Sequence, residues 1–105
     1  MMDIAEATIS KPLHRILSEL TGAERFDIAL HLATKDLVRL RLKEAEENLK
    51  MFAGRYGMPF DQFQRAWESG QIANRHSYEV ERDFWEWEAA HTDRVKLNEM
   101  LDRLP

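Results

Sequence analysis

The residues best equipped for chemistry lie close together near the C-terminus. The stretch SYEVERDFWEWE, Ser77 to Glu88, places five carboxylates and four aromatic rings within twelve residues. Carboxylates at such density suggest metal ligation or acid–base catalysis. Glu88-Ala-Ala-His91 has the Glu-x-x-His spacing of carboxylate-bridged two-metal helical bundles. That site needs a second such pair and two further glutamates. The chain offers this pair alone: His76-Ser-Tyr-Glu79 runs in the opposite order, and Asp27 with His31 lacks company. A solvated helix face with a charged first turn is the simpler reading of the carboxylates. His91 falls in an apolar stripe, which suits a packed histidine better than a ligand. No nucleophile motif and no glycine-rich phosphate loop is present. With no cysteine, thiol catalysis and thiolate metal sites are excluded. The expectation is a protein without catalytic residues, metal or cofactor, with a helical metal-dependent enzyme as a lesser alternative.

A second set is basic. Lys35, Arg39 and Lys43 recur every four residues, with Arg41 nearby, and could meet phosphates. The chain as a whole is acidic, with net charge −4 and an isoelectric point near 5.5. Nucleic-acid-binding domains usually carry a basic excess. A nucleic-acid-binding regulator that uses these three residues is therefore an alternative and not the favoured reading.

The third set is aromatic. Trp67, Tyr78 and Trp85 are of the types enriched where protein surfaces bind one another. Three tryptophans are a generous supply for the core of 105 residues. With Glu81 and Glu88 they form the candidate partner-binding set.

These side chains need elements to hold them. At 105 residues, 44% hydrophobic and 32% charged, with four Gly and three Pro, the chain reads as one all-α domain. DFWEWE could be a strand by its aromatics. Its flanks, about 27 residues rich in Glu, Arg, Ala and Leu without a turn signal, make it helical. On that helix Phe84 and Trp87 join Val80, His91 and Val95 on the buried stripe, and Trp85 points away, beside Glu81 and Glu88.

The pattern predicts an elongated helical hairpin or bundle. Residues 1–20 form an N-terminal arm and short helix, with Leu13, Ile16, Leu17 and Leu20 on one face after Ser10 and Pro12. Thr21-Gly22-Ala23-Glu24 fits a capping box. It opens a long central helix over about residues 22–54, within a segment 21–56, which at 1.5 Å per residue spans roughly 50 Å. That exceeds what a compact globule of this size would cover. Its apolar residues make two stripes: Phe26, Leu30, Ala33, Leu37 and Leu40, and Val38, Leu42, Ala45, Leu49, Phe52 and Tyr56. Ile28 and Leu32 widen the first half further. A helix apolar on most of its circumference needs neighbours on several sides. Phe26, Ile28, Leu30, Leu32 and Leu37 are accordingly the candidate interface of a homodimer. The second half has a coiled-coil-like seam for one antiparallel helix. A short helix over 59–69 follows, with Pro59 in its first turn and Phe60, Phe63, Ala66 and Trp67 facing inward. A polar loop, QIANRH, leads to the C-terminal helix over 77–103, capped by Ser77. The N-terminal sequence has no basic start followed by an apolar run, and no apolar run approaches the ~18 residues of a membrane span. A cytoplasmic location with no membrane contact is the expectation.

Three landmarks together form a longer pattern: F-x-x-x-Y-G-M at Phe52–Met58, F-x-x-F-x-x-x-W-E-x-G at Phe60–Gly70, and SYEVERDFWEWE. With them, Arg39 to Leu101 resembles the small helical antitoxin-like proteins of archaeal and bacterial toxin–antitoxin operons. Pro59 stands where that group often has serine, which changes the cap of the third helix. The resemblance implies a non-catalytic protein that binds and silences a co-encoded toxin, with a nuclease as the implied toxin class. It implies no catalytic residues.

Overall fold

A computed structural model describes residues 10–105. Among them the chain forms four helices and no strand: α1 (Lys11–Thr21), α2 (Phe26–Tyr56), α3 (Phe60–Glu68) and α4 (Tyr78–Arg103). The fold is all-α with a long central and a long C-terminal helix. The expected arm over residues 1–9 lies outside the described residues. Contacts gather into two compact units, Met1–Val38 and Arg39–Pro105, divided within α2.

In the first unit, Ser10 caps α1 by accepting from the Leu13 N–H at 3.3 Å, and Pro12 sits in the first turn. Thr21 does not open α2 as a capping box would require. It is the last residue of α1, and its hydroxyl donates to the Leu17 carbonyl at 2.7 Å. Gly22, at φ +73°, then closes α1 by donating its N–H to the Ser18 carbonyl at 2.8 Å. Glycine takes this left-handed conformation without the Cβ clash that other residues meet. The capping box fails because Thr21 is committed to the preceding helix, and α2 starts at Phe26. The His14 ring meets Phe26 edge-on, with centroids 5.6 Å apart. Phe26, Ala29 and Val38 are buried.

In the second unit the latter half of α2 pairs antiparallel with α4. Tyr56 meets Asp83 and Phe52 meets Trp87, so rising positions on α2 match falling positions on α4. Gly54 lies inside α2, which runs on to Tyr56, where Gly57 at φ +68° ends it. Pro59 is the residue before α3 and not part of its first turn. Phe52, Phe60, Phe63 and Trp87 form the core, with Tyr56, Trp67, Ile72, Val80 and Phe84 packed around it. Trp87 stacks on Phe52 and on Tyr56, each at 5.7 Å between centroids, and Phe63 comes within 4.9 Å of it. Val95, expected in the buried stripe, is exposed, as the ring contacts of α3 with α4 reach from Phe84 to His91 and not beyond the middle of the helix.

The loop before α4 is more than a polar connector. Ile72 reaches the core, and the Arg75 guanidinium donates to the Trp67 carbonyl at 2.7 Å. Arg75 thereby holds the end of α3 against the start of α4.

Candidate partner-binding face

Ser77 caps α4 by accepting from the Val80 N–H at 3.3 Å. This starts the helix at Tyr78 and fixes the phase of everything after it. At about 100° per residue, Tyr78, Arg82, Trp85 and Ala89 fall within about 60° of one another, on the side opposite Trp87. All four are exposed, Tyr78 at 77% and Trp85 at 64%. The Arg82 guanidinium lies over the Tyr78 ring, 5.7 Å from its centroid. Glu81 and Glu88 flank this ridge on one side, Glu86 and Asp93 on the other. Glu81 is half-buried and lies 3.7 Å from the His76 imidazole, whereas Glu86 and Glu88 are exposed. The result is an aromatic–cationic ridge with carboxylates along both edges.

The opposite side of the same helix is anchored by Asp83. It is only 4% exposed, although the sequence places it in a run of carboxylates expected to be solvated. Its Oδ2 accepts from Tyr56 Oη at 2.6 Å and from Arg55 Nη1 at 2.7 Å. Burial by itself would push this carboxyl up. The hydrogen bonds from Tyr56 and Arg55 outweigh it and hold the group below the usual carboxylate range. Burial, then the bond to Asp83, raises the Tyr56 phenol to about 12. Asp83 Oδ1 is buried and has no partner. The signal was available in the sequence: Asp83 is three residues after Val80 and four before Trp87, which is the packed side of the helix.

The other candidates are distributed as follows. Trp67 is half-buried and stacks on Phe84 at 4.7 Å, so it joins the core and not the ridge. Arg82 was missed by the sequence reading, because a lone arginine among acids carries no pattern until the helix phase places it over Tyr78. In the first unit Phe26 is buried within its own chain, whereas Ile28, Leu30, Leu32 and Leu37 are exposed. Lys35 is half-buried, and Arg39 and Lys43 are exposed. His91 stacks on Phe60 at 5.1 Å, with Nδ1 buried and unpartnered. Among the described residues no group of three or more His, Asp or Glu side chains could hold a metal ion, and no helix is long and apolar enough to cross a membrane.

A groove of about 480 Å³ runs between α2 and α4 beyond the core. Its floor is low because the buried Ala45 and Ala90 line it, and Glu44, Glu86 and Asp93 rim it. No family model matches the chain, and neither a curated protein nor a solved structure matches it.

Proposed function

We propose that this protein is a non-catalytic interaction module of the antitoxin type, a homodimer that binds and silences a co-encoded toxin. The observation that supports the reading most is the ridge of Tyr78, Arg82 and Trp85 with its carboxylate edges. Tyrosine, arginine and tryptophan are the residue types that dominate binding energy at protein interfaces. A folded chain exposes two such large rings on one helix face at the cost of leaving apolar surface in water. Covering that surface stabilises a complex. The acidic edges favour a basic partner, as an RNA-cleaving toxin would be, by steering encounter and fixing orientation. Silencing would be steric, with the ridge seated over the toxin's site.

Co-purification with the product of the neighbouring gene tests the reading. Trp85→Ala should weaken capture and toxin neutralisation at least tenfold, and Glu88→Ala should slow association at low salt. Unchanged binding and neutralisation in both variants would show that the ridge is not the toxin-binding face.

A further inference from the structure

We infer that Trp85, with Glu81 one turn before it and Glu88 one turn after it, is the receptor for one arginine side chain of the partner protein. The guanidinium stacks on the exposed indole, and its edges meet the two carboxylates. The inference rests on the reading of this face of α4 as the partner surface and names the group that the face takes.

Charge points to a basic occupant. The stretch Tyr78–Asp93 carries six acidic side chains and one basic one, Arg82. The other 89 residues carry fourteen basic and thirteen acidic side chains. The whole acidic excess of the −4 chain is therefore concentrated in this part of α4. Four of the six carboxylates have a basic neighbour. Glu79 and Glu86 have Arg82 three and four residues away, Asp93 has Lys96 three residues on, and Asp83 accepts from Arg55. Glu81 and Glu88 have neither lysine nor arginine three or four residues away on either side. Glu81 lies 3.7 Å from the exposed His76 imidazole, and among the described residues Glu88 makes no ion pair.

The missing counter-charge falls beside an open aromatic face. At about 100° per residue, Glu81 and Glu88 lie about 40° and about 60° from Trp85, on the same side of it. Along the axis they stand about 6 Å before it and about 4.5 Å after it. Trp85 is 64% exposed, and among the described residues its ring neither stacks on another ring nor carries a cation. Tyr78 on the same ridge is different, since Arg82 already lies over its ring. Indole is the best of the aromatic rings for holding a cation, and here it is the one left open. A guanidinium suits the place better than an ammonium. It is planar and stacks on an aromatic face, and its fixed fork of N–H donors can serve two carboxylates at once. The same concentration of negative charge repels a phosphate backbone.

The receptor can be tested without the toxin. The indole N–H resonance of Trp85, assigned through Trp85→Phe, should shift on titration with millimolar tetra-arginine at low salt. That of the buried Trp87 should stay in place and report an intact fold. The shift should vanish when Glu81→Gln and Glu88→Gln are combined, and should need about threefold more tetra-lysine. Against the product of the neighbouring gene, the same double variant should dissociate about tenfold faster. That effect should persist at high salt, where steering by distant charges is screened. One arginine of that product, found by alanine substitution, should couple to Trp85, so that losing both costs little more than losing either. No Trp85 shift with tetra-arginine, a shift that survives in the double glutamine variant, or an equal response to tetra-lysine would each overturn the proposal. So would unchanged dissociation of the double variant while Trp85→Ala weakens capture. A Trp85 shift as expected, with normal toxin capture by every ridge variant, would instead overturn the proposed function and leave the arginine receptor standing.

Discussion

Tyr56 donates its phenolic hydrogen to Asp83 at 2.6 Å, across the seam between α2 and α4. This bond joins the C-terminal end of one helix to the start of the other, at the rim of the aromatic core. Asp83 is a buried carboxylate, and a buried carboxylate is tolerated only where hydrogen bonds replace its water. It therefore admits one register of α4 against α2. A shift of α4 by one residue would strand the charge in an apolar site. The same register sets the phase that turns Tyr78 and Trp85 outward.

Removing the donor tests the clamp directly. Tyr56→Phe should lower stability by about 1.5–3 kcal/mol, the range for a hydrogen bond to a charged group. The readout is the urea midpoint at pH 7, with an unchanged denaturant slope. Asp83→Ala should cost at least as much, as it leaves the Tyr56 hydroxyl without its acceptor.

Acid should act through the same residue. The folded-state pKa of Asp83 is depressed, so its contribution is present above the unfolded value of about 3.9 and is lost as pH falls through the lower folded value. Urea midpoints measured from pH 5 downward should fall less steeply in Asp83→Asn than in the wild type. Equal slopes would mean that Asp83 does not govern the acid limb.

At the alkaline end the sign reverses. The folded pKa of Tyr56 is raised to about 12, so its contribution is present below the unfolded value of about 10 and is lost between the two. Absorbance at 295 nm should show a late phenolate step near pH 12 in the folded protein. Tyr56→Phe should abolish that step.

The two tryptophans of DFWEWE should behave as opposites. Trp87 is 1% exposed, and Trp87→Ala should cost about 3–5 kcal/mol. Trp85 is 64% exposed, and Trp85→Ala should change stability by no more than about 0.5 kcal/mol. Iodide should quench a fluorescence component that disappears in Trp85→Phe and persists in a Trp87→Phe variant.

Arg75 should prove more than a loop residue. Arg75→Ala removes the donor to the Trp67 carbonyl and should cost about 1 kcal/mol. Limited proteolysis should then cut between Ser69 and Ser77 several-fold faster, with the helical content unchanged.

Much of the fold was legible in local chemistry. Helix type, the Ser77 cap and the antiparallel seam follow from propensity, hydroxyl capping and a 3.6-residue period, all of which act within a few residues. The stripe Val38, Leu42, Ala45, Leu49, Phe52 and Tyr56 is buried or half-buried as its spacing predicts. The division of DFWEWE into an inward Trp87 and an outward Trp85 was readable for the same reason.

Other features needed the tertiary structure. A capping-box pattern at Thr21 says nothing about whether the preceding helix has already claimed that residue. An aspartate in an acidic run looks solvated until a tyrosine and an arginine from another helix are placed beside it. Trp67 and Trp85 have similar sequence surroundings, yet one stacks on Phe84 and the other faces solvent. Periodicity showed that α1 and the first half of α2 are apolar. Only the packing decided which of those residues the chain covers itself, because burial depends on the neighbours that three-dimensional folding brings. Sequence by itself determined the helices, the Ser77 cap and the apolar faces. The tertiary structure decided the register through Asp83, the ridge on α4, and the stripe of Leu13, Ile16 and Leu20 left in water.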